Sequence, residues 1–307
     1  MRLLVLPCAM LVGWAPVTGQ QVADTAFRPP IGRPAFASGS GPLVLLDEAH
    51  HNFHTADGRY APFAALLRRD GYRVEPLRER FSRSSLASAR VLVIANALDS
   101  SNRGAWARPI ALAFTASEVQ AVRTWVEGGG SLLLIADHMP FAGAAAALGR
   151  ALGLEFSDGF AMADSGDSDP FVFTRADSTL GHHAIADGRS PDERVDSVVT
   201  FTGQGFRVTT GTVDPLLRLS EGMVLLEPDT AWVFNEATRR RSAAGWLQGA
   251  ALEVGRGRVV VLGEAAMFSA QLAGPRRRPV GMNAPEASRN AQLLLNTMHW
   301  LTGILGS

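Results

Sequence analysis

Short, unbroken apolar runs that end in polar residues recur through the first half of the chain. Leu43-Val44-Leu45-Leu46 ends at Asp47, Val91-Leu92-Val93-Ile94-Ala95 at Asn96, and Leu132-Leu133-Leu134-Ile135-Ala136 at Asp137-His138. Runs of this length without alternation are what strands buried on both faces require. Helix signals lie between them. Pro62 opens a segment whose Phe63, Leu66 and Leu67 form one apolar face, and Gly71 closes it before a strand beginning Tyr72-Arg73-Val74. Thr115-Ala116-Ser117-Glu118 has the spacing of a capping box, in which each side chain satisfies the other's free backbone donor. Val119, Val122, Trp125 and Val126 line the helix that follows, and Gly128-Gly129-Gly130 stops it. An Ala-rich helix is predicted over 143–152.

The pattern changes after about residue 155. Strand candidates fall at 171–174, 198–201, 206–209 and 223–226. A hairpin is predicted from 250–254 through Gly255-Arg256-Gly257 to Val259-Val260-Val261-Leu262, and a last helix over 286–302 carries Leu294, Met298 and Leu301. The βαβα order predicts an α/β fold with a doubly wound, mainly parallel sheet. The second half is expected to complete that sheet with an antiparallel edge and additional β elements. Residues 41–307 are thus read as one domain.

Met1-Arg2, the apolar run Leu3 to Trp14, and Val17 and Gly19 at the −3 and −1 positions have the form of a secretory signal peptide over 1–19. The run is too short to span a bilayer, and no membrane-spanning segment is expected elsewhere. Residues 20–40, rich in Pro, Gly, Ala and Ser, read as an extended arm. The expected destination is periplasmic or extracellular.

Composition then removes whole classes of chemistry. The 307 residues carry 29 basic and 29 acidic side chains, so no nucleic-acid partner is indicated. Every basic residue is arginine, which removes lysine Schiff bases and P-loops. The one cysteine is Cys8, inside the leader, so the mature chain has no thiol for disulfides, metal binding or nucleophilic attack. Neither Gly-x-Ser-x-Gly nor Gly-x-Gly-x-x-Gly after the first strand is present.

The stretch from Gly128 to His138, glycines feeding a buried strand and then a polar turn, resembles the class I glutamine amidotransferase-like superfamily. Asp47-Glu48-Ala49-His50-His51-Asn52, His182-His183-Ala184-Ile185…Gly188 and Gly257-Arg258-Val259-Val260-Val261-Leu262-Gly263-Glu264 add to the likeness, which extends over about 41–303. The similarity is to exported branches such as trehalose-utilisation-type domains and bacterial domains of unknown function. It implies a flavodoxin-like sheet. Amidotransferases place a nucleophilic cysteine in the turn after the strand; here Asp137-His138 stands there. The resemblance therefore carries over neither glutaminase activity nor a catalytic residue.

In open parallel sheets, ligands bind beyond the carboxyl ends of the strands. That rule selects Asp47, Glu48, His50, His51, Asn96, Asp137, His138 and Glu264 as ligand-binding candidates. His54 lies close by in the chain. One reading is a divalent metal such as zinc, held by His50 or His51 with Asp137 and His138, and with Glu48 or Glu264 as the catalytic base. A second is a metal-free polar pocket, and a third is mutual hydrogen bonding that is purely structural. Two functions follow. The first is a module binding a small polar ligand, a sugar or a cell-wall fragment; the alternative is a metal-assisted hydrolase using the Asp47–His51 loop. Other features read as scaffold. Asp164, Asp167 and Asp169 lack EF-hand spacing, Arg239-Arg240-Arg241 and Arg276-Arg277-Arg278 suit solvated turns, and His182-His183 shapes a loop. Phe201-Thr202-Gly203-Gln204 ends a strand, Trp125 and Trp300 suit the core, and Trp106 sits in a polar loop.

Overall fold

The computed structural model describes residues 21–166 and 170–306. The leader and its cleavage point, with Asp167 and Asp169, lie outside the described residues.

The central sheet has nine strands. In chain order they are β1 (Leu43–Asp47), β2 (Arg73–Leu77), β3 (Val91–Ala95), β4 (Ser131–Ile135), β5 (Leu154–Phe156), β6 (Phe206–Val208), β7 (Asp214–Arg218), β8 (Leu247–Val254) and β9 (Gly257–Leu262). Their spatial order is β2-β1-β3-β4-β9-β8-β6-β5, with β7 also on β8. The pairs from β2 through β9 are parallel. β8, β6, β5 and β7 pair antiparallel.

The helices are α1 (Ala61–Arg69), α2 (Arg83–Leu86), α3 (Ala116–Glu127), α4 (Phe141–Ala151), α5 (Ala184–Asp187) and α6 (Asn290–Leu301). Every residue of β1, β3 and β4 is buried, which explains their unbroken apolar sequences. Val44, Leu46, Val93 and Val260 pack with Phe63 and Leu67 of α1 and with Leu294 and Met298 of α6. On the other face Leu45, Leu92, Leu134 and Val261 pack with Val122 of α3 and Leu148 of α4. The Thr115–Glu118 capping box forms as its spacing requires.

The strand candidates of the second half divide among several sheets. Residues 206–208 join the main sheet as β6. Phe171–Thr174 and Ser197–Thr200 pair only with each other, while Met223–Glu227 lies between Phe160–Ala163 and Arg239–Ser242. Arg239–Arg241 therefore form an edge strand, where Arg239 and Arg241 meet Glu227 and Arg240 meets Asp164. The arm is docked. Gln21–Ala23 pairs with Ala270–Ala273, and Phe27, Ile31 and Phe36 rest on the core. Asp70 Oδ1 accepts from Ala35 N at 2.8 Å, and Asp70 Oδ2 lies 2.7 Å from Nε2 of the fully buried His299. No helix among the described residues is long and apolar enough to cross a membrane.

Candidate functional site

The register places Ala95, Ile135 and Leu262 in one row across β3, β4 and β9. The residues just beyond them, Asn96, Asp137 and Glu264, thus share a rim with Asp47 at the end of β1. Two polar clusters form along it.

The first encloses His50. Its Nδ1 lies 2.9 and 3.0 Å from the two oxygens of Asp47, and its Nε2 lies 2.8 Å from Glu118 Oε1. Phe81 and Phe114 flank the ring, with centroids 4.5 and 4.8 Å away. Asn52 Nδ2 and Ala49 N donate to Asp47. Glu118 is also the capping-box glutamate of α3, taking hydrogen bonds from Thr115 N and Thr115 Oγ1. Burial lowers the His50 pKa, but the hydrogen bonds and charges of Asp47 and Glu118 outweigh it, so the net shift is upward. Burial likewise opposes ionisation of Glu118. Hydrogen bonds from Thr115 and His50 overcome it and bring the carboxyl down to about 2. This is a closed carboxylate–imidazolium–carboxylate network with no nitrogen to spare. Glu48 is also committed, accepting from Ala56 N at 2.9 Å and pairing with Arg78. His51 is exposed, with a left-handed backbone (φ 46°).

The second cluster gathers the ends of β3, β4 and β9. Asn96, also left-handed (φ 53°), accepts from Asp137 N through Oδ1 at 3.0 Å. Its amide nitrogen donates to His54 Nδ1 at 3.3 Å. Asp137 accepts from His138 N and Ala265 N. Glu264 accepts from Ala266 N and Met267 N at 2.7 Å each. Burial, then the Asp137 charge, pushes the Glu264 carboxyl well above the usual range. Tyr60 Oη donates to Ala265 O at 2.9 Å. Burial, aided by the Arg59 charge, lowers His54 to about 3 and keeps it neutral.

An aromatic rim adjoins this floor. His138 is half-buried and stacks on Phe160 (4.6 Å, 14°), with Trp232 edge-on at 4.9 Å and Trp106 at 6.1 Å. Trp106 in turn meets Phe53 and Phe141. His138 Nδ1 lies 2.6 Å from Met139 O and so acts as the donor, which leaves Nε2 an acceptor with no protein partner among the described residues. Trp232 is 50% exposed and has positive φ (67°). Its loop is held to the Trp106 loop by Ala231 N donating to Trp106 O and by an Ala107–Thr230 bridge.

The candidates therefore fall into two groups. Asp47 and His50 are consumed in the first network, with Glu48 bonded nearby. Asn96, Asp137, His138 and Glu264 come together, joined by His54, Tyr60, Trp232 and Arg59, which the strand-end rule did not select. No group of three or more His, Cys, Asp or Glu side chains among the described residues is arranged to hold a metal, so His50, His51, Asp137 and His138 do not form the metal site their sequence positions suggested. β3 separates the ends of β1 and β4, and both ring nitrogens of His50 face carboxylates. His183 caps α5 by accepting from Ile185 N. A surface recess of about 700 Å³ lies away from the rim on the antiparallel side, beside Arg207, Pro215, Arg218 and Trp246.

No family model matches the chain, and no curated protein matches it significantly. Solved structures do. The mmIFT52 N-terminal domain superposes with a TM-score of 0.57 at 12% identity, over 85% of this chain and 97% of its own. The fold is shared. A putative ThuA-like protein from Bacteroides uniformis gives 0.47 at 16% identity, over 88% of this chain and 95% of that one. Another from Parabacteroides merdae gives 0.44 at 11%, over 87% and 92%.

Proposed function

We propose that this chain is an exported domain of the class I glutamine amidotransferase-like kind, doubly wound and flavodoxin-like, that binds a small polar ligand at its strand ends and has no glutaminase activity. The ligand class is a sugar or a cell-wall fragment. One observation carries the reading: His138 lies between Trp106 and Trp232 at the edge of the Asn96–Asp137–Glu264 floor, with Nε2 free to accept. Aromatic rings match the C–H face of a pyranose, while an unpaired acceptor takes a hydroxyl. The absence of cysteine after residue 8 removes the thioester route. The leader composition supports export.

Calorimetric titration with glucose, N-acetylglucosamine and cellobiose tests the reading. Saturable binding by at least one, weakened about tenfold or more by His138→Ala or Trp106→Ala at unchanged fold, is expected. No binding by any of them, or binding indifferent to both substitutions, would overturn it.

A further inference from the structure

Arg59 departs from the pattern set by the protein's other half-buried arginines. Arg175, Arg189 and Arg241 hold carboxylates, while Arg90, Arg258 and Arg289 hold backbone carbonyls. Arg59 holds neither among the described residues, and its Nε is buried without a hydrogen-bond partner. A buried N–H normally has an acceptor, so the unpaired Nε, like that of Arg241, is a cost the fold retains. Its carbon sits 3.9 Å above the centre of the Phe53 ring, which fixes the fork against an aromatic face. Phe53 touches both Trp106 and His54. Arg59 is therefore one ring away from the aromatic rim. No carboxylate on the neighbouring floor reaches it: Asp137 and Glu264 accept from backbone amides, and Glu48 is turned to Ala56 N and Arg78.

We infer that Arg59 is an anion-binding subsite that selects sugars bearing a negative group, a carboxylate or a phosphate, at the His138–Trp106–Trp232 rim. This rests on the saccharide reading of that rim. The rings would hold the pyranose, and the guanidinium would take the anionic oxygens in the bidentate geometry its planar fork favours. The two terminal nitrogens, which are not buried and hold no partner among the described residues, are the donors a ligand would meet.

The test is calorimetric titration of the full chain with four probes, glucose, glucuronate, glucose 6-phosphate and inorganic phosphate, on the wild type, Arg59→Gln and Arg59→Lys. A charge-assisted pair should favour the acidic sugars over glucose by about tenfold to a hundredfold. Arg59→Gln should abolish that preference, and Arg59→Lys should recover only part of it. Glucuronate above glucose 6-phosphate would identify a carboxylate site, and the reverse order a phosphate site. Equal affinity for glucose and both acidic sugars would overturn the anion subsite and leave the saccharide reading standing. The subsite is overturned in the same way if the preference survives in Arg59→Gln, or if inorganic phosphate alone binds as tightly as glucose 6-phosphate. Absence of binding by every sugar would overturn both. A melting curve of each variant confirms that loss of preference is not loss of fold.

Discussion

His50→Leu should cost stability and leave ligand binding intact. The ring lies 2.9 Å from Asp47 and 2.8 Å from Glu118, and both contacts are out of water. A hydrogen bond to a charged group contributes about 1.5–3 kcal/mol, so two lost together represent about 3–6 kcal/mol. Breaking a buried ion pair costs about 3–5 kcal/mol, a range that overlaps. Asp47 keeps Asn52 and Ala49, and Glu118 keeps Thr115 and Arg80, which places the net loss near about 3–4 kcal/mol. Leucine still packs on Phe81 and Phe114. In a chain of this length each kcal/mol lowers Tm by roughly 2 °C, giving a fall of about 6–8 °C. The deficit should also depend on pH. The His50 pKa is raised in the fold, so its contribution is complete below 6.5 and fades as pH climbs past the raised value. Glu118 is depressed from 4.5 to about 2, so its contribution is present above 4.5 and disappears as pH falls toward 2. Urea unfolding at pH 5.5 should thus show a larger gap between variant and wild type than at pH 9. A loss below about 1 kcal/mol, or an equal gap at both pH values, would refute the network; intact stability with abolished sugar binding would make His50 a ligand contact instead.

Three further outcomes follow from named contacts. Trp232→Gly removes half-exposed rim surface and relieves a left-handed backbone, so Tm should hold within about 2 °C while sugar affinity drops about tenfold; a large Tm loss would mean the ring is scaffold. Asp137→Asn removes the charge that helps hold Glu264 protonated. Carboxyl-carbon NMR should then show the Glu264 titration moving down, and an unchanged titration would mean burial acts alone. Gly203→Ala would drive a Cβ to 2.4 Å from Gly263 O at a φ of 94°, costing about 2–5 kcal/mol in a denaturation experiment; a neutral result would show that this approach beside Glu264 relaxes easily.

The parallel half of the fold was legible because burial on both faces forces unbroken apolar strands. Residues 91–95 match to the residue, and the α3 capping box announces itself by spacing. Strands in the antiparallel half hide for physical reasons. β5 has three residues, β7 contains Pro215, and Arg239–Ser242 is an exposed edge whose charges are met by Glu227 and Asp164, acids remote in sequence. The rim itself could be found from strand ends, but not which residues on it are spent. Glu118 reads as a helix cap, and nothing within 68 positions of His50 signals that the same carboxylate also takes its ring. Trp232 and Arg59 lie outside the strand-end rule altogether. They reach the rim through a loop pairing at Ala107–Thr230 and through a stack on Phe53.

The five tryptophans that follow the leader offer the most direct measurement of where a ligand sits. Indole N–H resonances of the labelled protein, recorded during titration with glucuronate and N-acetylglucosamine, should move for Trp106 and Trp232 and stay fixed for Trp125, Trp246 and Trp300. Shifts confined to Trp246, beside the 700 Å³ recess, or no saturable shift at all, would contradict a site at the strand ends.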